Sequence, residues 1–403
     1  MFSRCLIITE LLLLLALSPV ALAYFEGCDN TYNLNPGTTY VESPYYPSSY
    51  PAGTSCRYKF KAPVDYSVQV QCTISLPQNN GQCSSDNFWL DPEGDLLMRG
   101  AENFCGSGNF ARESLFTELV FAYISTGGQG GNFKCTLTTA RQNCNCGWSI
   151  NSRIANGQQA ADNEFPSMVA LKDVTSQQAS FCGGTIVSHR YILTAAHCTL
   201  QIKQAINIVA IAGTNNLQNP SSSRYYQQYA IQQMITHEQY EDEPDVKNDI
   251  AVLITASNIL WSRGVGPICL PPAGTSQTFS YETVDVIGWG TLFFAGPTSA
   301  SMQKINLMVV NNQDCQTEYN DVAAIYPNQI CTYDYSGNAR DSCQYDSGGP
   351  VILRSSKQFL LGIISFGKSC AANSYPMGVN TRISSHISWI RQKIGYSNCV
   401  VSL

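Results

Sequence analysis

The sequence predicts an all-β protein with two units, a small β-sandwich followed by a larger unit of buried strands that ends in a helix. Three observations support this prediction. The chain has 403 residues, its first third alternates short apolar and polar runs, and longer apolar runs follow residue 154. Because one hydrophobic core rarely grows beyond about 300 residues, the length favours two units over one.

The first unit, predicted over residues 24–140, consists of short strands separated by turns. Residues 58–61 and 67–71 alternate apolar and polar side chains, which is the pattern of strands with one buried face. Turn-forming dipeptides lie between such runs, at Ser43-Pro44, Tyr46-Pro47 and Gly127-Gly128. Repeated strands and turns over this length are typical of a β-sandwich. The polar, cysteine-bearing residues 141–153 are predicted to be a linker.

The second unit, predicted over residues 154–403, carries longer apolar runs at 206–212 and 360–366. These runs are predicted to be buried strands. Ser384 and Ser385 are candidate N-caps of a helix near the end of the chain. The apolar face of this helix is formed by Ile387, Ile390 and Ile394.

Residues 1–23 are predicted to be a signal peptide. Arg4 precedes an apolar run centred on residues 11–16, and Ala21-Leu22-Ala23 places small residues at the positions that determine cleavage. The alternative is a transmembrane anchor, which needs about 20 apolar residues. Since the run is shorter than that, we expect a secreted, extracellular protein without a membrane partner.

The cysteines indicate disulfide bonds. The sequence has 17 cysteines, and removal of the signal peptide with Cys5 leaves an even number in an oxidising compartment. Cys144-Asn145-Cys146 has the wrong spacing for a zinc knuckle or a thioredoxin-type motif, and the 4 histidines are scattered. We therefore expect neither a metal site nor another cofactor.

The charge distribution argues against nucleic acid as a partner. The formal net charge is −6, charged residues make up 13% of the chain, and no basic stripe is present. Proteins that bind nucleic acid usually carry a clustered positive surface.

Three separate motifs carry the residue types for nucleophilic acyl transfer, which needs a hydroxyl, a base and a carboxylate that orients the base. His197 lies in Leu-Thr-Ala-Ala-His-Cys, Asp249 in Asn-Asp-Ile-Ala-Val-Leu, and Ser347 in Asp-Ser-Cys-Gln-Tyr-Asp-Ser-Gly-Gly-Pro. Each motif alone is compatible with a structural histidine, a turn or an ordinary loop. Their joint occurrence favours a catalytic triad.

With these motifs, residues 154–399 resemble the trypsin and chymotrypsin family of serine peptidases. The resemblance implies a double antiparallel β-barrel and a serine endopeptidase that acts on protein substrates. It also implies that His197 is the general base, Asp249 its orienting carboxylate and Ser347 the nucleophile. The alternative is a non-catalytic homologue that acts as a binding protein or cascade cofactor, but such homologues usually lack a triad residue.

The same resemblance implies an inactive precursor. Arg153 and Ile154 match the family's activation site, where an upstream trypsin-like protease would cleave. The new ammonium group of Ile154 would pair with Asp346, since a buried carboxylate needs a cationic partner. Its arrival would order the active site.

Further positions match the family's substrate site. Asp341 lies six residues before Ser347, where an acid favours Arg or Lys side chains. Gly367 and Gly378 match the pocket walls, and Ser365 matches the residue that borders the triad.

The oxyanion hole is expected to consist of the backbone N–H groups of Tyr345 and Ser347. Tyr345 departs from the family pattern, which has glycine there. Its side chain is expected to narrow access for large substrates and protein inhibitors.

Residues 24–140 resemble a CUB domain, a β-sandwich that recognises proteins or carbohydrates. The motifs are Glu42-Ser-Pro-Tyr-Tyr-Pro, Cys56, Cys83-Ser-Ser-Asp and Phe104-Cys-Gly. Only Asp86 remains of the acids that bind calcium in some CUB domains, so calcium is not expected. The whole arrangement resembles arthropod CUB serine proteases of venom or haemolymph.

The resemblances imply a set of disulfides. They pair Cys28 with Cys56, Cys83 with Cys105, Cys182 with Cys198, Cys315 with Cys331, Cys343 with Cys370 and Cys146 with Cys269, and leave Cys72 for Cys135 as an extra bridge. Cys144 would then pair with Cys399, although an exchange of Cys144 and Cys146 stays open. A further family bridge would need cysteines near Val284 and Leu353, and both are absent.

Overall fold

The computed structural model divides into two compact units, Met1–Asn143 and Cys144–Leu403. It describes residues 25, 28–83, 85–127, 129–142, 145–149, 159–176, 180–200, 204–242, 245–273, 278–290, 298–335, 346–367 and 377–395. Most of the regular secondary structure in both units is β-strand, so the predicted all-β class is confirmed. The predicted limits of the signal peptide and the linker stay predictions, because 1–24 and 150–158 lie outside the described residues.

The first unit is a sandwich of two sheets. Its strands are β1 (Asp29–Asn33), β2 (Thr38–Glu42), β3 (Ser55–Lys61), β4 (Tyr66–Ser75), β5 (Gln78–Asn79), β6 (Gln82–Cys83), β7 (Asp86–Asp91), β8 (Glu102–Phe104), β9 (Ser107–Glu113), β10 (Glu118–Ser125) and β11 (Asn132–Arg141). One sheet has the order β1-β3-β10-β7-β8 and the other β2-β11-β4-β9, while β5 and β6 form a small hairpin. This architecture confirms the predicted β-sandwich.

Alternation along the strands fills the sandwich core. In β3, Cys56, Tyr58 and Phe60 are buried while the residues between them are partly exposed. The ring centroids of Tyr58 and Phe60 lie 5.1 and 5.2 Å from that of Phe121 in β10. The inward face is therefore aromatic, which suits the roughly 10 Å gap between packed sheets.

In its described residues, the second unit contains two closed six-stranded barrels and three α-helices. Its strands are β12 (Met168–Asp173), β13 (Cys182–Ser188), β14 (Tyr191–Thr194), β15 (Ile208–Ala212), β16 (Gln227–Thr236), β17 (Ala251–Thr255), β18 (Thr283–Gly288), β19 (Gln303–Val310), β20 (Gln329–Tyr333), β21 (Pro350–Arg354), β22 (Gln358–Gly367) and β23 (Gly378–Arg382). The helices are α1 (Ala196–Leu200), α2 (Asn312–Tyr319) and α3 (Ile383–Ile394), and short 3-10 turns span Ala205–Asn207 and Pro220–Ser222. The barrels have the orders β12-β13-β14-β17-β16-β15 and β18-β19-β20-β23-β22-β21.

Two local predictions in this unit are wrong. Ile206 belongs to a 3-10 turn and is 74% exposed, so the predicted strand begins only at β15. Helix α3 is not capped by Ser384 or Ser385, because β23 runs directly into it and the extended Arg382 holds the N-cap position without a side-chain cap. The predicted apolar face of α3 is buried. Among the described helices, none is long and apolar enough to cross a bilayer.

A largely buried ionic cluster joins the two barrels. Glu164, 1% exposed and just before β12, accepts a hydrogen bond of 2.7 Å from Lys304 Nζ of β19. It also accepts one from Arg354 of β21, whose guanidinium bonds Asp285 as well. Burial opposes the charged form of Glu164, but the hydrogen bonds from both cations outweigh it and lower the pKa. The cluster links the segment before β12 to β19 and β21 of the second barrel, and loss of one partner would be destabilising because a buried charge without its partner is costly.

Six disulfides lie among the described residues. They join Cys28 to Cys56, Cys72 to Cys135, Cys83 to Cys105, Cys146 to Cys269, Cys182 to Cys198 and Cys315 to Cys331. Five of these are pairs that the resemblances imply, and the bridge from Cys72 to Cys135 is the predicted extra one. The predicted partners Cys144, Cys343, Cys370 and Cys399 lie outside the described residues. Val284 and Leu353, where the family has a further bridge, are direct neighbours on β18 and β21.

Candidate active site

Strand pairing brings His197 beside Asp249. Strands β14 and β17 are antiparallel, with Thr194 opposite Ala251. The chain therefore leaves β14 and enters β17 at the same end of the first barrel. His197 follows in the first turn of α1, and Asp249 precedes β17 by two residues. The register of these two strands therefore brings together His197 and Asp249, which are 52 residues apart in the sequence.

The Asp249 carboxylate holds the imidazole in a defined orientation. Its Oδ2 lies 2.8 Å from His197 Nδ1, and its Oδ1 accepts a hydrogen bond of 3.0 Å from the His197 backbone N–H. The carboxylate is 2% exposed and the imidazole 26% exposed. Nδ1 therefore carries the proton, and Nε2 keeps its lone pair for a proton from substrate or nucleophile.

Ser365 completes the cradle of this carboxylate. Its Oγ donates a hydrogen bond of 2.5 Å to Asp249 Oδ2. The pairing of β22 with β23 is interrupted by a bulge between Ile364 and Phe366, and such bulges re-aim side chains next to active sites. Thr381 of β23 donates to the Asp249 carbonyl at 2.7 Å. The second barrel thus fixes a residue of the first.

The Ser347 loop is anchored on β13 and on the residue that follows the histidine. Gly183 N–H of β13 donates to the Ser347 carbonyl at 2.8 Å, and Cys198 Sγ lies 3.6 Å from the same oxygen. Gly348 has a φ of +77°, and a Cβ there would lie 2.2 Å from Thr194 Oγ1. Only glycine fits this position. The loop therefore holds the partly buried Ser347 at the junction of the two barrels.

The Asp346 side chain lies against the end of β18 in the second barrel. Its Oδ1 accepts a hydrogen bond of 2.8 Å from the Gly290 N–H. A Cβ on Gly290 would lie 2.5 Å from Asp346 Cγ, so a side chain there would displace the carboxylate.

Electrostatics favour a basic imidazole. Burial opposes the charged form of His197, but the hydrogen bond and charge of Asp249 outweigh burial and raise the pKa of the imidazole above 6.5. The exposed Asp242 adds a smaller contribution in the same direction. Burial would raise the pKa of Asp249, yet the hydrogen bonds from His197 and Ser365 hold it below its usual value. Asp249 therefore stays ionised wherever His197 titrates.

The pH dependence of activity follows from this raised pKa. A general base must be neutral, so kcat/KM is expected to fall as the pH drops through the pKa of free His197, with a midpoint above 6.5. Asp242→Asn is expected to lower the midpoint, whereas Asp321→Asn, an exposed control, leaves it in place. The pH profile of kcat/KM with a small ester checks this. A midpoint below 6.5, or one indifferent to Asp242, would contradict it.

The structure also brings together the two predicted pocket-wall glycines. Gly367 and Gly378 are direct cross-strand partners at the ends of β22 and β23, close to Ser365. The other predicted site residues lie outside the described residues, namely Arg153, Ile154, Asp341 and Tyr345.

One part of the site was missed by the sequence reasoning. Asn248 has a φ of +50° and is held by hydrogen bonds to the Gln239 carbonyl and from Asn328, at 2.8 and 2.9 Å. His386 Nε2 of α3 lies 3.2 Å from its Oδ1. This network fixes the backbone one residue before Asp249. The signal was available, since asparagine tolerates left-handed backbone better than most residues.

Metal binding has little support at this site. Among the described residues, one group of possible ligands lies close together, formed by Cys182, His197 and Cys198. Both sulfurs are joined in a disulfide, so neither is a thiolate.

Comparison with known families matches both units. The model of the Trypsin family matches residues 154–390, and the model of the CUB domain matches residues 28–133. Because the first match covers more than half of the chain and the barrels hold a His–Asp pair beside a serine loop, the fold and site define a serine endopeptidase. The chain belongs to the trypsin family.

Known relatives agree with this assignment. Venom serine protease 34 of Apis mellifera is 31% identical over 377 residues, which are 91% of this chain and 87% of that protein. Venom serine protease of Polistes dominula is 34% identical over 64% of this chain and 91% of its own length. Trypsin Blo t 3 of Blomia tropicalis is 35% identical over 60% of this chain and 85% of its own. The resemblance drawn from the sequence motifs is confirmed.

Proposed function

We propose that the protein is a secreted zymogen of a trypsin-like endopeptidase that cleaves after Arg or Lys. The observation that carries this proposal is the hydrogen-bonded pair of His197 and Asp249 beside the anchored Ser347 loop. The names of two relatives include the word venom, and the signal peptide predicted over residues 1–23 supports secretion.

The proposed chemistry is acyl transfer. His197 Nε2 takes the proton of Ser347 Oγ as this oxygen attacks the scissile carbonyl carbon. The oxyanion is held by the backbone N–H groups of Tyr345 and Ser347. Collapse breaks the C–N bond, and His197 returns the proton to the leaving amine. Water then repeats the sequence on the acyl-enzyme and releases the acid.

The proposed preference for basic residues depends on Asp341 and the two pocket glycines. Gly367 and Gly378 face each other across β22 and β23, and without side chains they leave room for a long substrate side chain. A desolvated carboxylate at Asp341 would pair with the end of that side chain.

The proposed activation is cleavage between Arg153 and Ile154. The new ammonium group would reach Asp346, whose carboxylate already accepts the Gly290 N–H. Because the disulfide from Cys146 to Cys269 spans this bond, the first unit would stay covalently attached after cleavage.

One experiment tests activation and specificity together. The purified precursor is treated with trypsin, and its fragments are identified by N-terminal sequencing and on non-reducing gels. We expect a new terminus at Ile154, one band without reductant, and activity on Arg and Lys esters at least about 100-fold above that on Phe esters. Arg153→Gln is expected to stay inactive, whereas Arg141→Gln, the matched control, is activated. Activity of Arg153→Gln at the activated level, or a preference for Phe, would refute the proposal.

A further inference from the structure

A cleft lies in the first unit, between the edge strands of its two sheets. Strands β1 and β2 are the last strands of their sheets, and they lie on the same side of the sandwich because residues of both line this cleft. Residues 34–37 cross from one to the other and close one end of the cleft. Its volume is about 670 Å³, within the range of roughly 300–1,000 Å³ that is usual for ligand sites.

Aromatic rings form a rigid wall of this cleft. Tyr32 and Phe60 are stacked with ring centroids 5.5 Å apart at an angle of 13°. Tyr58 lies parallel to Phe60 within 8°. Tyr58 and Phe60 are buried in the sandwich core, whereas Tyr32 is 42% exposed. Tyr32 thus presents an apolar surface whose orientation is fixed by the core behind it.

The remaining lining is mixed and almost uncharged, since Leu34, Pro36, Val41 and Leu137 also contribute to it. Amide and hydroxyl side chains surround the aromatic wall, at Asn30, Asn33, Asn35, Thr38, Thr39 and Thr139. Neither Lys nor Arg lines the cleft, and the one acid, Glu42, is paired with Lys134 at 2.7 Å. A ligand bound here meets hydrogen-bond donors and acceptors but no uncompensated charge.

We propose that this cleft binds a neutral oligosaccharide. A sugar ring has an apolar C–H face that suits an aromatic surface such as Tyr32, and its hydroxyls both donate and accept, as amides and threonines do. Anionic ligands are disfavoured, because no cation lines the cleft to offset their desolvation. The site would attach the protease to glycan-bearing surfaces or substrates, independently of the active-site chemistry.

The competing occupant is an extended peptide that adds a strand to the free edge of β1 or β2. Such a peptide needs a groove that is open at both ends. Residues 34–37, with Pro36 among the lining residues, obstruct one end here. The two edges also belong to different sheets, so one strand cannot pair with both. A short, branched or terminal sugar needs neither a groove that is open at both ends nor a strand edge to pair with.

The test uses the full-length protein on an array of gluco-, manno- and chito-oligosaccharides, with sialylated and sulfated glycans as comparison. We expect the protein to bind the neutral glycans of the array selectively. The affinity for the best of these glycans is then measured by calorimetry. Tyr32→Ala is expected to weaken binding at least about tenfold, while Tyr32→Phe keeps it, because the ring face carries the contact. Thr39→Trp, at an exposed strand position, is expected to fill the cleft and block binding.

Controls separate a lost site from a lost fold. Leu97→Ala, an exposed position of the same unit outside the cleft lining, is expected to bind normally. All variants are compared by thermal unfolding. The proposal is overturned if no neutral glycan binds below about 5 mM, if only acidic glycans bind, or if Tyr32→Ala and Thr39→Trp both bind as the parent does. Peptides from a random library are tested in the same way. If they bind, if Thr39→Trp abolishes this binding and if sugars do not displace them, the cleft is a peptide site instead.

Discussion

Replacement of Ser347 by alanine is expected to lower the kcat of the activated protein roughly a million-fold. The alanine lacks the oxygen that attacks the scissile carbonyl, and the Gly183 and Ile364 contacts that hold this loop are made through backbone atoms. The variant should therefore fold, be cleaved at Arg153 and bind substrate, but not form an acyl-enzyme.

Initial rates on an Arg ester, with titrated protein, measure this effect. The matched control is Ser355→Ala, a serine in the exposed turn between β21 and β22, and we expect it to keep full activity. If Ser347→Ala retained more than about one thousandth of the parent kcat, Ser347 would not be the nucleophile.

Asp249→Asn is expected to lower kcat about ten-thousand-fold with little change in the fold. An asparagine amide fills the same space, but its N–H₂ group competes for the place opposite His197 Nδ1. The imidazole would then adopt the tautomer that carries its proton on Nε2, and a protonated Nε2 cannot accept the proton of Ser347. The loss of the negative charge also removes the main cause that raises the pKa of His197, so the acid midpoint of the residual activity should fall.

The matched control for this variant is Asp245→Asn, which makes the same change four residues earlier in the chain. Asp245 accepts hydrogen bonds from Ala324 N–H and Tyr326 and has no contact with His197 in the described structure. We expect a near-normal kcat and an unchanged midpoint. Equal losses in the two variants would mean that Asp249 acts through general stability and not through the imidazole.

The proposed triad residues could be predicted from the sequence because each lies in a local motif. His197, Asp249 and Ser347 are recognised by their neighbours along the chain. The sequence does not show that the register of β14 and β17 joins the first two, nor that a bulge aims Ser365 at the carboxylate. Such relations depend on strand pairing, which is a property of the whole barrel.

Long-range polar partners were likewise not predictable. Glu164 and Lys304 are 140 residues apart and carry no motif, yet their buried ion pair joins the barrels. The incorrect cap at Ser384 has a related cause. Local capping propensity was overridden because β23 enters α3 without a turn.

The disulfides show which structural features a family resemblance can predict and which it cannot. The pairing of Cys72 with Cys135 is explained by the register of β4 and β11, where these residues lie directly opposite each other. The sequence offered this bridge as the remaining pair of its unit. The neutral cleft beside β1, by contrast, arises from two edge strands that only the folded sandwich brings to one side.

We expect one alcohol, activated by His197, to attack the substrate. Labelling with a fluorophosphonate, followed by mass spectrometry of the peptides, tests it most directly. We predict that label enters one residue, Ser347, after cleavage at Arg153, and that His197→Ala prevents the labelling. Label on another residue, or equal labelling of the His197→Ala variant, would contradict this account.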